Sequence, residues 1–156
     1  KPNQNPQKIP FLAQKQQTTY TIVADGRKLR ICPLSVGNPH CVVWLKELAS
    51  LNIEKIGRLL SQHPRFPQKT NVDFVQIMDK NTIRLRVFER GVGETLACGS
   101  AACAAMVASK LLNLVDKEAT INMKGGTLTV EWDKKSSPVW LTGPAKFVFE
   151  GKISAF

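Results

Sequence analysis

The sequence has few of the residues that build disulfide frameworks or metal centres. Its 156 residues include four cysteines and two histidines. Four thiols without a Cys-x-x-Cys pair are too few for a disulfide scaffold of this length, and two histidines make a structural zinc site unexpected. Long apolar runs and a charged-then-apolar leader are also missing, so no membrane span or export signal is predicted. The simplest expectation is a cytoplasmic protein with reduced thiols, no metal and no membrane partner.

Aromatic residues are scarce as well, whereas positive charge is abundant. Aromatic residues make up 7% of the sequence, and the formal net charge is +10. The basic residues are scattered along the whole chain, and few rings are available to stack on bases. We therefore expect a solvated basic surface and no nucleic-acid partner. A non-enzymatic basic binding module and an anionic small-molecule substrate are the alternatives that charge alone leaves open.

The length is that of one domain with a sizeable core. Residues 1–17 are rich in Pro, Gln, Asn and Lys and start without methionine, which indicates a linker or irregular approach cut from something longer. Residues 18–156 are expected to form the domain. The pattern there predicts helices at 53–62 and about 98–114. It predicts strands at 19–23, 28–32, 40–45, 72–78, 82–88, 119–123, 128–132, 139–142 and 146–150.

The second predicted helix is apolar on nearly all sides, which is typical of a buried helix. Many strands with such a helix predict an α+β fold, in which an antiparallel or mixed sheet curls round the helix. Short turn signals support this arrangement, among them Asp25-Gly26 between the first two strands.

The clearest chemical signal is Cys98, which is followed by Gly99 and Ser100 at the predicted start of the second helix. The N–H groups and partial positive charge of a helix N-terminus attract anions, and can lower a thiol pKa from near 8.5 to roughly 3.5–7.5. Cys98 is therefore expected to move a proton or attack a substrate, with Gly99 and Ser100 facing an anion. An ordinary buried cysteine is the alternative. Cys103, about 500° further round the helix, is expected only to pack.

A second group consists of Asn38 and His40, which a Gly-Asn-Pro-His turn would aim from the same corner. A histidine there can act as an acid, a base or a hydrogen-bond donor near neutral pH. A turn with a satisfied histidine is the alternative. Asn71 stands at the mouth of a strand with Asp73 close by, and the usual role of such an asparagine is in a turn or cap.

Glu89 and Arg90 form a third group at the end of the 82–88 strand. Glu89 continues an apolar row, which is costly for a carboxylate unless it is paired or functional. Arg90 could hold a carboxylate through a bidentate contact. Strict alternation would place the two side chains on opposite faces, although Gly91 could relax that geometry. A surface ion pair is the alternative.

Together these segments resemble, in order and spacing, the C-terminal half of the diaminopimelate epimerase family. The segments are Gly-Asn-Pro-His-Cys-Val at 37–42, Arg-Phe-Pro at 65–67, Asn-Val at 71–72, Arg-Leu-Arg-Val-Phe-Glu-Arg-Gly at 84–91, Gly-Glu-Thr at 93–95, Ala-Cys-Gly-Ser at 97–100, Gly-Gly at 125–126 and Leu-Thr-Gly-Pro-Ala at 141–145. The resemblance covers nearly the whole sequence. In this order, the motifs are highly specific.

The resemblance implies an isomerase that interconverts LL- and meso-diaminopimelate in lysine and cell-wall synthesis, without pyridoxal phosphate or another cofactor. It implies a mixed, mostly antiparallel, β-barrel-like sheet wrapped around a central helix, and a second similar domain with the substrate between the two. Each domain supplies one cysteine of an acid–base pair. By this resemblance the catalytic residues are Cys98, His40 and Glu89. The implied substrate contacts are Asn38, Asn71, Glu89, Arg90, Gly99 and Ser100.

The family's first half, which carries the other cysteine, has no counterpart in the sequence. We therefore expect this chain to be inactive alone and to need the missing N-terminal domain, and a homodimer is possible for the intact protein. Proline racemases and hydroxyproline epimerases are the nearest rivals, but their cysteine loop more often reads Ser-Pro-Cys-Gly-Thr-Gly. Phenazine-biosynthesis isomerases share the fold and lack the thiol.

Overall fold

The computed structural model describes residues 1–133 and 137–154, and it has the predicted α+β composition. Its helices are a 3₁₀ helix (Pro6–Lys8), α1 (Ile53–Ser61) and α2 (Gly99–Leu111). The strands are β1 (Tyr20–Ala24), β2 (Arg27–Ser35), β3 (Pro39–Trp44), β4 (Asn71–Asp79), β5 (Thr82–Glu89), β6 (Gly93–Thr95), β7 (Glu118–Met123), β8 (Gly126–Glu131) and β9 (Trp140–Thr142). Each strand predicted between residues 19 and 142 has a counterpart, and the short β6 is an addition.

The described strands form one mixed sheet. Their order is β1-β2-β3-β4-β5-β7-β8-β9, and β6 pairs with β5. The β3–β4 and β5–β7 pairs are parallel, whereas the other neighbours are antiparallel. Helix α2 packs against β2, β3, β4, β5, β7, β8 and β9. The sheet therefore curls around α2, which confirms the predicted arrangement.

The two faces of the sheet carry two separate apolar clusters. One cluster surrounds α2, whose middle consists mainly of alanine, and small side chains let the surrounding strands approach the helix closely. The other cluster lies beneath α1 and includes Ile9 and Phe11 from the N-terminal segment. Successive side chains of β5 point to opposite faces of the sheet and contribute to both clusters: Val87 belongs to the first and Phe88 to the second. Both faces of the sheet are thus covered by a helix.

The hairpin turn predicted at Asp25 and Gly26 is confirmed. These two residues have φ values of +52° and +70°, and β1 pairs with β2 directly across them. Positive φ at both central residues defines the tight turn whose twist matches antiparallel strands. The β7–β8 hairpin turns at Lys124 and Gly125, and there the positive φ falls on the following residue, Gly126.

The strand predicted at 146–150 is wrong. Phe147, Val148 and Phe149 are 79%, 82% and 78% exposed, and this stretch has no regular secondary structure. In the part of the chain that the structure describes, the last ladder is that of β8 and β9. A short run of residues with high strand propensity forms a strand only where a neighbouring strand can complete the hydrogen bonds.

Candidate active site

Cys98 is the N-cap residue of α2. Its backbone is extended, with φ −149° and ψ 113°, and its side chain makes no capping hydrogen bond. The thiol is half-buried, and its Sγ lies 3.4 Å from the Ser100 hydroxyl. The first turn of the helix contains no acidic residue. The prediction that Cys98, Gly99 and Ser100 stand at a helix start is therefore confirmed, and backbone N–H groups of this turn have no partner within the helix.

The ionisation of Cys98 differs from the expectation. Burial raises the pKa of the thiol above its ordinary value, and the carboxylates of Glu89 and Asp73 add to this rise. The Ser100 hydroxyl and the backbone N–H of Ala101 lower the pKa, but by less than burial raises it. The predicted depression of the Cys98 pKa is therefore wrong, because burial raises the pKa by more than the two hydrogen bonds lower it. The thiol keeps its proton at neutral pH.

Asn38 and His40 lie beside this helix start, although they precede it by about sixty residues in the sequence. Asn38 follows Gly37, whose φ of +128° makes the turn into β3, and His40 is the second residue of that strand. The Asn38 Nδ2 donates to the Ser100 Oγ at 3.4 Å, and the His40 Nε2 lies 3.1 Å from the Asn38 Oδ1. The turn therefore brings both side chains to the same corner, as predicted, and Asn38 reaches Ser100 beside Cys98.

The opposite side of the His40 ring contacts Asp73, on β4. The Nδ1–Oδ2 distance is 2.8 Å, and both side chains are completely buried. Burial raises the pKa of the Asp73 carboxyl; His40 partly offsets this rise, and Glu89 adds to it. Sequence reasoning noted Asp73 only as a neighbour of Asn71. The signal that could have identified it is a carboxylate within the apolar run of β4, because a buried charge needs a partner.

Asn71 and Arg90 are tied to each other. Asn71 is aligned with His40 across the parallel β3–β4 pair, and its Oδ1 accepts the Arg90 backbone N–H at 2.8 Å. The Arg90 guanidinium donates to the Gln68 carbonyl oxygen at 3.0 Å. Their side chains therefore help to shape the corner between β4 and the end of β5, while their predicted contacts with substrate stay predictions.

Glu89 is the last residue of β5 and accepts a hydrogen bond from the Thr95 hydroxyl at 2.7 Å. Its carboxylate acts on the pKa values of both Cys98 and Asp73, so it belongs with the cysteine. Arg90 reaches the carbonyl of Gln68 instead, as alternation along the strand predicts. The described ion pairs do not include one between Glu89 and Arg90. Thr95 is a further site residue that sequence reasoning missed.

A bidentate ion pair fixes the short strand that leads to Cys98. The Arg86 Nε and Nη2 donate to the two carboxylate oxygens of Glu94 at 2.8 and 3.0 Å. The same guanidinium donates to the carbonyls of Leu48 and Leu51 at 2.6 and 3.2 Å, and Lys124 lies 2.9 Å from Glu94. These contacts hold β6 against β5 and so set where the chain enters α2.

Replacing Glu94 with glutamine is expected to destabilise the chain at pH 7 by about 1–2 kcal/mol, since the Arg86 guanidinium loses its charged partner. Hydrogen bonds from Arg86 and Lys124 lower the pKa of Glu94. Its stabilising effect is therefore present above the unfolded-state pKa of glutamate and is lost as pH falls through the lower folded-state value. Urea unfolding at pH 7 and pH 3 checks this. A Glu94→Gln deficit that is as large at pH 3 as at pH 7 would contradict it.

A cleft of about 290 Å³ adjoins the start of α2. It is lined in part by Val36, Gly99, Ser100, Cys103 and Leu141. Cys103 is half-buried and packs against the apolar cluster around α2, as predicted. A larger cleft of about 610 Å³ lies elsewhere, around residues 12–20, and contains none of the predicted site residues.

The sequence also predicts no metal site and no membrane span. Within residues 1–133 and 137–154, no three His, Cys, Asp or Glu side chains are grouped as they would be to ligate a metal ion. In the same ranges, no helix has both the length and the apolar composition needed to cross a bilayer.

The sequence comparison decides the family. A sequence model of diaminopimelate epimerase matches residues 32–148. The chain belongs to the diaminopimelate epimerase family. The diaminopimelate epimerase of Nitrosomonas europaea is 44% identical over 152 residues, which cover 97% of this chain and 55% of the relative. The chain thus spans about half the length of this relative.

Solved structures show the same fold. A hydroxyproline epimerase from Agrobacterium vitis, with trans-4-hydroxy-L-proline bound, aligns with a TM-score of 0.53 and 16% identity. The alignment covers 78% of this chain and 43% of that one. A phenazine biosynthesis protein of the PhzF family from Bacillus anthracis aligns with a TM-score of 0.50 and 20% identity, over 79% of this chain and 37% of that one. At these identities, the likeness concerns the fold alone.

Proposed function

We propose that this chain is one half of a diaminopimelate epimerase that uses two cysteines and no cofactor, and that Cys98 is one of the two. The observation that carries the proposal is the placement of Cys98. Cys98 is the N-cap residue of α2, its half-buried thiol lies within hydrogen-bond distance of Ser100, and the Glu89 carboxylate is near enough to raise its pKa. Family membership supports the reaction type and the substrate.

Cys98 exchanges a proton with the α-carbon of the substrate from one face. Inversion at carbon without a carrier needs an acid and a base on opposite faces, both within hydrogen-bond reach. Because burial raises the pKa of Cys98, its resting form is the thiol, which suits the proton donor. In the reverse direction the resulting thiolate is the base.

The start of α2 holds the α-carboxylate of the substrate. The backbone N–H groups of Gly99 and Ser100 belong to the first turn, where an anion is stabilised by unpaired donors and by the helix dipole. The carbanion has no conjugated cofactor to accept its electrons, so fixed donors and the exclusion of water must stabilise it.

His40 and Glu89 assist proton transfer, while Asn38, Asn71, Glu89 and Arg90 contact the polar ends of the substrate. Their hydrogen bonds within the protein support this assignment, since each side chain is held in place before substrate arrives. Diaminopimelate carries two carboxylates and two amino groups, which matches a set of amide, guanidinium and carboxylate side chains.

The second cysteine comes from the part of the family's length that this chain does not match, and the substrate lies between the two halves. We propose a cytoplasmic enzyme whose intact form is a homodimer. The missing half is the partner on which activity depends.

The test joins this chain to the part of the Nitrosomonas europaea relative that it does not match. The joined protein is expected to convert LL-diaminopimelate to the meso form in deuterated water, with one deuterium incorporated at the inverted α-carbon. Proline and trans-4-hydroxyproline are the control substrates and are expected to give no turnover. A joined protein that is folded by circular dichroism and epimerises neither diaminopimelate isomer would sink the proposal.

A further inference from the structure

A continuous line of hydrogen bonds links the Cys98 sulfur to a buried carboxyl on β4. The distances are 3.4 Å from Sγ to the Ser100 Oγ, 3.4 Å from that oxygen to the Asn38 Nδ2 and 3.1 Å from the Asn38 Oδ1 to the His40 Nε2. The final link, from the His40 Nδ1 to the Asp73 Oδ2, is 2.8 Å. This line connects β4, β3, the turn that precedes β3 and the start of α2.

The direction of each hydrogen bond follows from the donors that each group has. The Asn38 Oδ1 can only accept, so the His40 Nε2 must carry a proton and donate it. The Asn38 Nδ2 then donates to the Ser100 oxygen, which leaves the Ser100 hydroxyl proton free to point at the Cys98 sulfur. Every donor between His40 and Cys98 therefore points toward the sulfur, which is the arrangement that stabilises a thiolate.

Asp73 occupies the far end of this line. With a proton on Nε2, the His40 Nδ1 shares a second proton with the Asp73 Oδ2: either the ring is cationic and the carboxylate ionised, or the carboxyl holds the proton and the ring is neutral. Both forms keep the proton on Nε2. The Asp73 carboxyl is fully buried, and its Oδ1 has no hydrogen-bond partner among the described residues. Burial also raises the pKa of this carboxyl, and His40 partly offsets the rise.

We propose that Asp73 is a positioning residue for Cys98, which acts through His40 and Asn38 to keep the Ser100 hydroxyl directed at the sulfur. The inference rests on the proposed function only in naming Cys98 as the reacting thiol. Asp73 does not touch the substrate. Its effect is to keep the proton on one of the two His40 nitrogens.

The test measures how fast iodoacetamide alkylates Cys98 in this chain between pH 6 and pH 10, with mass spectrometry to separate Cys98 from Cys103. The titratable groups that face the sulfur are Glu89 on β5, Asp73 on β4 and Cys103 on α2, and His40 on β3 faces it through Asn38. No epimerase assay is involved. If the alkylation rates follow the expected pattern but the epimerase assay fails, the proposed function is contradicted and the present inference is not.

Two substitutions at position 73 separate orientation from charge. In Asp73→Asn the amide N–H can donate to the His40 Nδ1, so the proton stays on Nε2 and the alkylation rate is expected to stay within about 2-fold. In Asp73→Leu the His40 Nδ1 loses this partner, so the proton is no longer held on Nε2 and the Ser100 hydroxyl is no longer kept pointing at the Cys98 sulfur. Alkylation at pH 7.5 is therefore expected to slow by about 3- to 10-fold. Asn38→Ala breaks the line in its middle and is expected to slow alkylation similarly. Adding Asp73→Leu to it is expected to slow alkylation little further.

Three outcomes would overturn the inference. Faster alkylation in both position-73 variants would mean that Asp73 acts only through its charge. An unchanged rate in a folded Asp73→Leu chain would mean that the pair serves only packing. If that variant does not fold, the ¹⁵N signals of His40 in the unmodified chain decide, and a bare Nε2 at pH 7 would overturn the inference.

Discussion

Replacing Cys98 with alanine in the joined protein is expected to lower the rate of epimerisation by at least about 1,000-fold in both directions. Each direction needs an acid on one face of the α-carbon and a base on the other, and Cys98 supplies one of the two in either case. The fold is expected to be retained, since alanine is compatible with a helix terminus flanked by small residues. The measurement is conversion of LL- and meso-diaminopimelate, with the melting temperature of each variant.

The isotope pattern makes this result specific. The remaining cysteine can still remove and return a proton on its own face, so one of the two isomers is expected to exchange its α-proton with deuterated water without inversion.

Cys103→Ala is the matched control, because it makes the same chemical change in the same helix. It is expected to keep the rate within a few-fold and to cost about 1 kcal/mol of packing. Cys98→Ala with near-normal conversion would contradict the assignment of Cys98.

The second prediction with a large expected effect concerns the epimerase activity of this chain on its own. Its 156 residues are expected to show no measurable epimerisation of diaminopimelate, because Cys98 has no opposing acid or base without the missing half. The remaining buried thiols do not replace it. Burial raises the pKa of Cys32 to about 12 and that of Cys41 well above its ordinary value, so neither forms a thiolate at neutral pH.

Adding back the missing half tests whether its absence is the cause of this inactivity. The unmatched part of the Nitrosomonas europaea relative, supplied as a separate chain, is expected to restore conversion if the two halves associate. The same half with alanine in place of the cysteine proposed to oppose Cys98 is the control. Turnover by the 156 residues alone at the rate of the joined protein would contradict a two-half active site.

Local chemistry made much of the fold predictable. The alanine-rich stretch of α2 indicates a helix without a polar face, and burial within the curled sheet is the physical consequence. Asp25 and Gly26 favour a left-handed turn, so the first hairpin follows from two residues. The stretch at 146–150 has residues with high strand propensity but forms no strand, because a ladder depends on a neighbouring strand that the local sequence does not supply.

The sequence indicated which residues to consider for the candidate site, but few of the contacts between them. The motifs around Asn38, Asn71, Glu89 and Cys98 place the chemistry-bearing residue types at turns and element ends, where side chains are free to converge. Some of the partners come from distant positions. Ser100 binds Asn38 across 62 residues of sequence, and Asp73 binds His40 across 33.

The sequence by itself determined the family, the mixed sheet around a buried helix and the position of one cysteine at the start of that helix. These follow from residue type and local spacing. Only the tertiary structure decided that the Cys98 pKa lies above its ordinary value and that a buried carboxyl stands behind His40. The physical reason is that desolvation and long-range hydrogen bonds depend on which segments of the fold enclose a group, and local spacing does not specify those segments.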